Sequence, residues 1–117
     1  MRVKIGPLDK LLAHYIKLRD KNCQRCGGSG GLQTAHFIGR SRKSTRYDES
    51  NCILLCFGCH QHFHSRPYEW TEWFKRYLGE ERFNALLGRE RITYPKPDKK
   101  LIALYLKEQI KQLEEVK

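Results

Sequence analysis

The stretch from Thr34 to His64, TAHFIGRSRKSTRYDESNCILLCFGCHQHFH, decides how this chain folds. Residues 32–37 read as a short strand, and 39–48 as a polar, basic loop. Residues 51–55, NCILL, are apolar and partly β-branched, which suits a second, buried strand. A helix is expected from about Gly58, carrying His60, His62, Phe63 and His64. The central unit is therefore strand, long loop, strand, helix.

Two Cys-x-x-Cys pairs, Cys23/Cys26 and Cys56/Cys59, bracket most of this unit. A turn of that spacing places two sulfurs on one ion, and two such turns close a four-cysteine zinc site. One ion would then tie the entry of the first strand to the exit of the second. The alternatives are a redox dithiol, or one pair completed by His60. The fifth cysteine, Cys52, sits in the apolar strand and reads as a small buried residue. The glycines of CQRCGGSGG lack the strand before and helix after that a phosphate-binding loop needs, so they read as turn residues.

Working outward, Gly6-Pro7 opens a helix to about residue 20, after a loose lead-in at 1–6. Leu8, Leu11, Leu12, Tyr15 and Ile16, with Leu18 at the edge, give it one apolar face, and His14 lies on its surface. Past Pro67, Trp70, Trp73, Phe74, Tyr77 and Leu78 mark a helix whose aromatics pack a core. A further helix carries Phe83 and stops at Gly88. Residues 92–97 form a proline-broken linker. Asp98 caps a last helix running to near Lys117, with Leu101, Ile102, Tyr105, Leu106, Ile110 and Leu113 on one broad face. That face is open either to packing on the domain or to pairing with a second copy.

The 117 residues suit a single α+β domain: a core at about 20–66, an N-terminal helix at about 7–20 and a helical extension at about 68–117. A domain this small gains from a metal staple. The formal net charge of +10, from 23 Lys and Arg against 13 Asp and Glu, points to a polyanionic partner, nucleic acid first. No apolar run approaches membrane-spanning length, no secretory leader is visible, and no basic helix has a lipid-facing stripe. A cytoplasmic setting is expected, where paired cysteines suggest zinc rather than disulfides.

Phosphodiester hydrolysis needs an activated water, a Lewis acid and a way to position both. His60 and His64, four apart on a helix, project from one face and suit one divalent ion. His62 points elsewhere and is the poorer ligand. Arg40, Arg42, Lys43 and Arg46 lie in the loop beside His36 and are candidate contacts to DNA phosphates.

The pattern AHFIGR…DESNCILLC-x-x-CH-x-x-x-H resembles the HNH, or ββα-metal, endonucleases, and the second CxxC running into His60 resembles their zinc-knuckle members. A looser likeness, in RYDESN and WTEWFKRYLGEERFNALL, is to phage recombination proteins of the lambda NinG (Rap) type. The resemblance implies a ββα-metal fold, with His36 as the general base and Asn51 fixing the long loop. It implies His60 and His64 as ligands of a catalytic Mg2+ or Mn2+, with Zn2+ or Ni2+ as alternatives. Cys23, Cys26, Cys56 and Cys59 would hold a structural Zn2+. One departure stands out: many members carry a metal-binding Asp or His just before the base, and here that position is Ala35.

Two functions follow as expectations. The first is an endonuclease acting on DNA, branched or recombining DNA included, with a homodimer through the C-terminal helix suited to cutting both strands. The second is a zinc-dependent DNA-binding module that has lost catalysis. An RNA-directed or small-substrate role is a distant third.

Overall fold

The computed structural model describes residues 4–115. The lead-in at residues 1–3 and any extension of the last helix to Lys117 lie outside them. Among the described residues the order is α1 (Pro7–Asp20), β1 (Gln33–His36), β2 (Cys52–Leu55), α2 (Phe57–His64), α3 (Pro67–Leu78), α4 (Glu80–Glu90) and α5 (Lys99–Glu115). None of these helices is long and apolar enough to cross a membrane.

The sheet is a single antiparallel pair, with Ala35 opposite Ile53 and His36 opposite Cys52. All four β2 residues are buried, as an uninterrupted apolar run requires. The outer edge of β2 is covered, because an unpaired buried backbone group is costly. Arg19 donates to the Cys52 carbonyl at 2.7 Å. The Leu54 N–H donates to Asp20, and the Leu54 carbonyl accepts from the Gln24 N–H. The end of α1 thus substitutes for a third strand.

Two apolar clusters lie against the hairpin. One joins Ala35, Ile53, Leu55 and Phe63 to Phe74, Leu78, Phe83 and Leu86 of α3 and α4. Phe37, just past β1, stacks on Phe74 at 4.6 Å and meets Trp70 and Phe83 edge-on. The expected aromatic core is therefore present, and it anchors the residue next to His36. The other cluster sets Leu12, Tyr15 and Ile16 of α1 against Cys52, Leu54, Leu106 and Ile110. Alternate β2 side chains serve opposite clusters, as strand geometry dictates.

Three expectations need correction. Gly88 does not stop α4, which continues to Glu90. Gly is tolerated inside a helix, and the ladder is continued by neighbours that pack. The face of α5 is narrower than expected: Leu106 and Ile110 are buried against α1, while Leu101 and Tyr105 are exposed, because a straight helix presents only one stripe to a single partner. Asn51 lies in a single 3₁₀ turn, Glu49–Asn51, and the strand begins at Cys52.

Asp9, in the first turn of α1, is almost fully buried and reaches across to the basic loop. Its two carboxylate oxygens accept from Nε and Nη2 of Arg46 at 2.9 and 2.7 Å. The Gly6 N–H also donates to it at 2.8 Å, tying off one free amide at the helix start. Burial works against the Asp9 anion, but Arg46 and the Gly6 amide outweigh it and hold the pKa below the usual carboxylate value. Asp9→Ala strands a largely buried guanidinium. It should lower stability to denaturant by about 3 kcal/mol, with Arg46→Ala adding little on top; additive losses would show that the pair is not coupled.

Candidate metal centre and active site

Each cysteine pair is built by its own local geometry. In the first, the backbone turns through Gly27 at φ +78°, a left-handed conformation suited to glycine. The Gly27 N–H donates to the Cys23 carbonyl, and the Gly28 N–H points at the Cys26 sulfur at 3.4 Å. In the second, Cys56 is the N-cap of α2, and its sulfur accepts from the Cys59 N–H. Backbone donors and a helix N-terminus both favour thiolates. Burial would raise the Cys23 pKa, but the amides of Cys26, Cys56 and Arg25 outweigh it and bring it down to about 6. Burial takes Cys59 the other way, to about 12.

The four sulfurs lie within 4.8 Å of one another, and Cys26 and Cys56 are 3.7 Å apart. A tetrahedral zinc with 2.3 Å bonds needs sulfurs about 3.8 Å apart, so the residues fit the ion. Among the described residues, no other group of three or more His, Cys, Asp or Glu side chains could hold a metal. Cys52 is buried in the second cluster, away from the quartet, with its thiol pushed upward by burial. The Arg25 side chain lies over the quartet, with Nη1 against the Cys59 sulfur and its guanidinium 5.1 Å from the Phe63 ring.

His36 ends β1 and is mostly enclosed. Its Nε2 donates to the Arg46 carbonyl at 3.0 Å. A carbonyl only accepts, so the proton is on Nε2 and the lone pair on Nδ1. That Nδ1 is buried with no partner among the described residues, and so is Arg40 Nε. Burial first, and then the Arg40 charge, push the His36 pKa down to about 4. Asn51, fully buried, holds the loop: Nδ2 donates to the carbonyls of Ile38 (2.8 Å) and Thr45 (3.2 Å), and Oδ1 accepts from the Ile38 N–H (2.7 Å). Its own carbonyl accepts from the Phe37 N–H. The backbone on the C-terminal side of His36 is thereby fixed from both sides of Asn51.

His60 and His64 lie one turn apart on α2. Nδ1 of His60 donates to Oε1 of Gln33, the first residue of β1, which leaves its Nε2 lone pair available. Burial, followed by the nearby His64 and Arg40, lowers the His60 pKa. His64 is exposed, and among the described residues its side chain makes no hydrogen bond. Ala35 is 1 % exposed and packed in the core, so it supplies no ligand atom. His62 bonds to Glu69 and Arg66 instead, linking α2 to α3.

The four basic loop residues have different surroundings. Arg42 and Lys43 are exposed, and Arg40 is half-buried close to both His36 and His60. Arg46 is held inside the fold by Asp9 and the Lys4 carbonyl, so its role is to shape the loop and present the carbonyl that orients His36. Neither Gln33 nor Asp9 was evident as a site-shaping residue in the sequence. Gln33 faces His60 only because β1 passes beside α2, and nothing local marks it.

Residues 23–66 match the family model described as HNH endonuclease. The matched segment comprises both cysteine pairs, the hairpin and α2, while α1 and α3 to α5 lie outside it. No curated protein and no solved structure matches the chain.

Two outcomes test this geometry. Removing metal with a strong chelator should unfold the protein, seen as loss of far-UV dichroism that added zinc reverses, because metal binding here is folding energy. An unchanged melting curve in chelator would remove the structural site. For His36, the unfolded chain takes up a proton near 6.5 and the folded one only near 4, so the residue withdraws stability as pH falls across that interval. Long-range 1H–15N correlation at pH 5.5 should find its ring neutral and protonated on Nε2; an imidazolium there, or an Nδ1–H tautomer, contradicts the assignment.

Proposed function

We propose that this protein is a metal-dependent endonuclease that hydrolyses DNA phosphodiesters, with His36 as general base. The observation that carries the reading is the pairing of two buried, unpartnered groups: an unprotonated imidazole nitrogen, His36 Nδ1, and a guanidinium N–H, Arg40 Nε. A nucleophilic water needs the first and a phosphate oxygen needs the second.

In this reading Asn51 and Arg46 hold His36 in register, and Nδ1 takes the proton from water. An incoming phosphate offsets the Arg40 charge, the second-largest cause of the low His36 pKa, and so makes Nδ1 more basic once substrate is in place. His60, oriented by Gln33, and His64 would hold a divalent cation, Mg2+ or Mn2+ first and Zn2+ or Ni2+ as alternatives. When bound, that cation supplies Lewis-acid stabilisation of the phosphate and leaving oxygen. The four cysteines would hold structural zinc. Arg42 and Lys43 extend the contact to flanking phosphates, in the reducing cytoplasm where free thiols persist. A preference for branched DNA rests on the likeness to the NinG-type recombination proteins. A second copy joined through the exposed Leu101 and Leu104 of α5 would suit cutting both strands.

One observation favours a second reading, a DNA-binding module without catalysis: Ala35, at the position before His36, supplies no ligand atom to join His60 and His64. Supercoiled plasmid and a synthetic four-way junction, each incubated with the protein and Mg2+ or Mn2+, separate the two. Wild type should cut, and His36→Ala should cut about 10²-fold or more slowly while shifting DNA on a gel equally well. If wild type binds both substrates and cuts neither, the second reading replaces the first.

A further inference from the structure

The linker between α4 and α5 is not idle. It closes one side of a cleft of about 280 Å³ whose other side is the basic loop. Ser41, Arg42, Lys43 and Ser44 come from the loop, and Ile92, Thr93, Lys96 and Pro97 from the linker, with Glu90 between them. The loop is fastened to the end of α4, from which the linker departs. Ser44 Oγ donates to the Glu90 carbonyl at 2.8 Å, and Arg89 donates from Nε to Asp48 at 2.6 Å. The loop's position against the end of α4, and so against the start of the linker, is therefore fixed in the fold.

The cleft carries three cations and one carboxylate. That carboxylate, Glu90, lies 3.6 Å from Arg42. Lys43 and Lys96 form no ion pair among the described residues. Serine and threonine hydroxyls beside unpaired ammonium groups suit phosphate oxygens. The same loop carries Arg40 beside His36. A polyanion with one phosphate at Arg40 and His36 therefore has its neighbouring phosphates led along Arg42 and Lys43 toward Lys96.

We propose that this cleft is a backbone-phosphate site for nucleic acid, with Lys96 as its contact from outside the HNH segment. It rests on the reading above that DNA is bound, and it extends the footprint onto a linker that the HNH match does not reach.

The test uses the full-length zinc-loaded protein and a dye-labelled DNA duplex, without added Mg2+ or Mn2+, followed by fluorescence anisotropy over a salt series. Lys96→Ala should weaken binding several-fold and reduce the slope of log affinity against log salt by about 0.9, the value of one lost phosphate contact. Lys96→Arg should restore both. Lys111→Ala, which removes the same charge from exposed α5, should leave the slope as in wild type. If Lys96→Ala behaves like Lys111→Ala while wild type binds duplex, the site is wrong and the proposed function stands. If wild type binds neither the duplex nor a labelled four-way junction, the proposed function fails and this site with it; if it binds the junction alone, the same salt series run on the junction decides Lys96.

Discussion

Everything in this fold depends on bringing Cys23 and Cys26 to Cys56 and Cys59. A two-stranded hairpin of four residues per strand is not stable alone in water. Here its ends are gathered where four sulfurs lie within 4.8 Å of one another. The first pair precedes β1 and the second follows β2, so closing the quartet fixes strand pairing, the start of α2 and the turn before β1 together. Cys56 serves twice, as a member of the quartet and as the helix N-cap.

His36 and His60 are set as opposite tautomers by neutral acceptors. A backbone carbonyl fixes the proton of His36 on Nε2, and a glutamine side chain fixes that of His60 on Nδ1. Burial disfavours the imidazolium at both rings, and neither acceptor carries a charge that would restore it. A carboxylate at either place would favour the imidazolium instead. Arg40 adds a positive charge near both rings and favours the same neutral state.

The helices outside the segment that matches the HNH model shape the site rather than merely surround it. α1 covers the open edge of β2 with Arg19 and Asp20, and through Asp9 it positions Arg46, whose carbonyl orients His36. α3 and α4 stack aromatics on Phe37, the residue beside His36, and α4 holds the basic loop through Arg89 and Glu90. The buried Asn51 completes this frame with three side-chain hydrogen bonds.

The sequence by itself determined the strand–loop–strand–helix order, the cysteine quartet and the histidine pair on α2. Those features are local, carried by spacing and by an unbroken apolar run at 52–55. It also located the aromatic helix that packs the core. Only the tertiary structure decided which basic residues remain available, because whether Arg46 meets solvent or a carboxylate depends on Asp9, 37 positions away. The same holds for Gln33 against His60, 27 positions apart, and for Lys96 beside Lys43. Spacing marks residues that one turn brings together. Pairings between distant segments leave no such trace, since any exposed polar residue satisfies the local pattern and only the packed chain selects its partner.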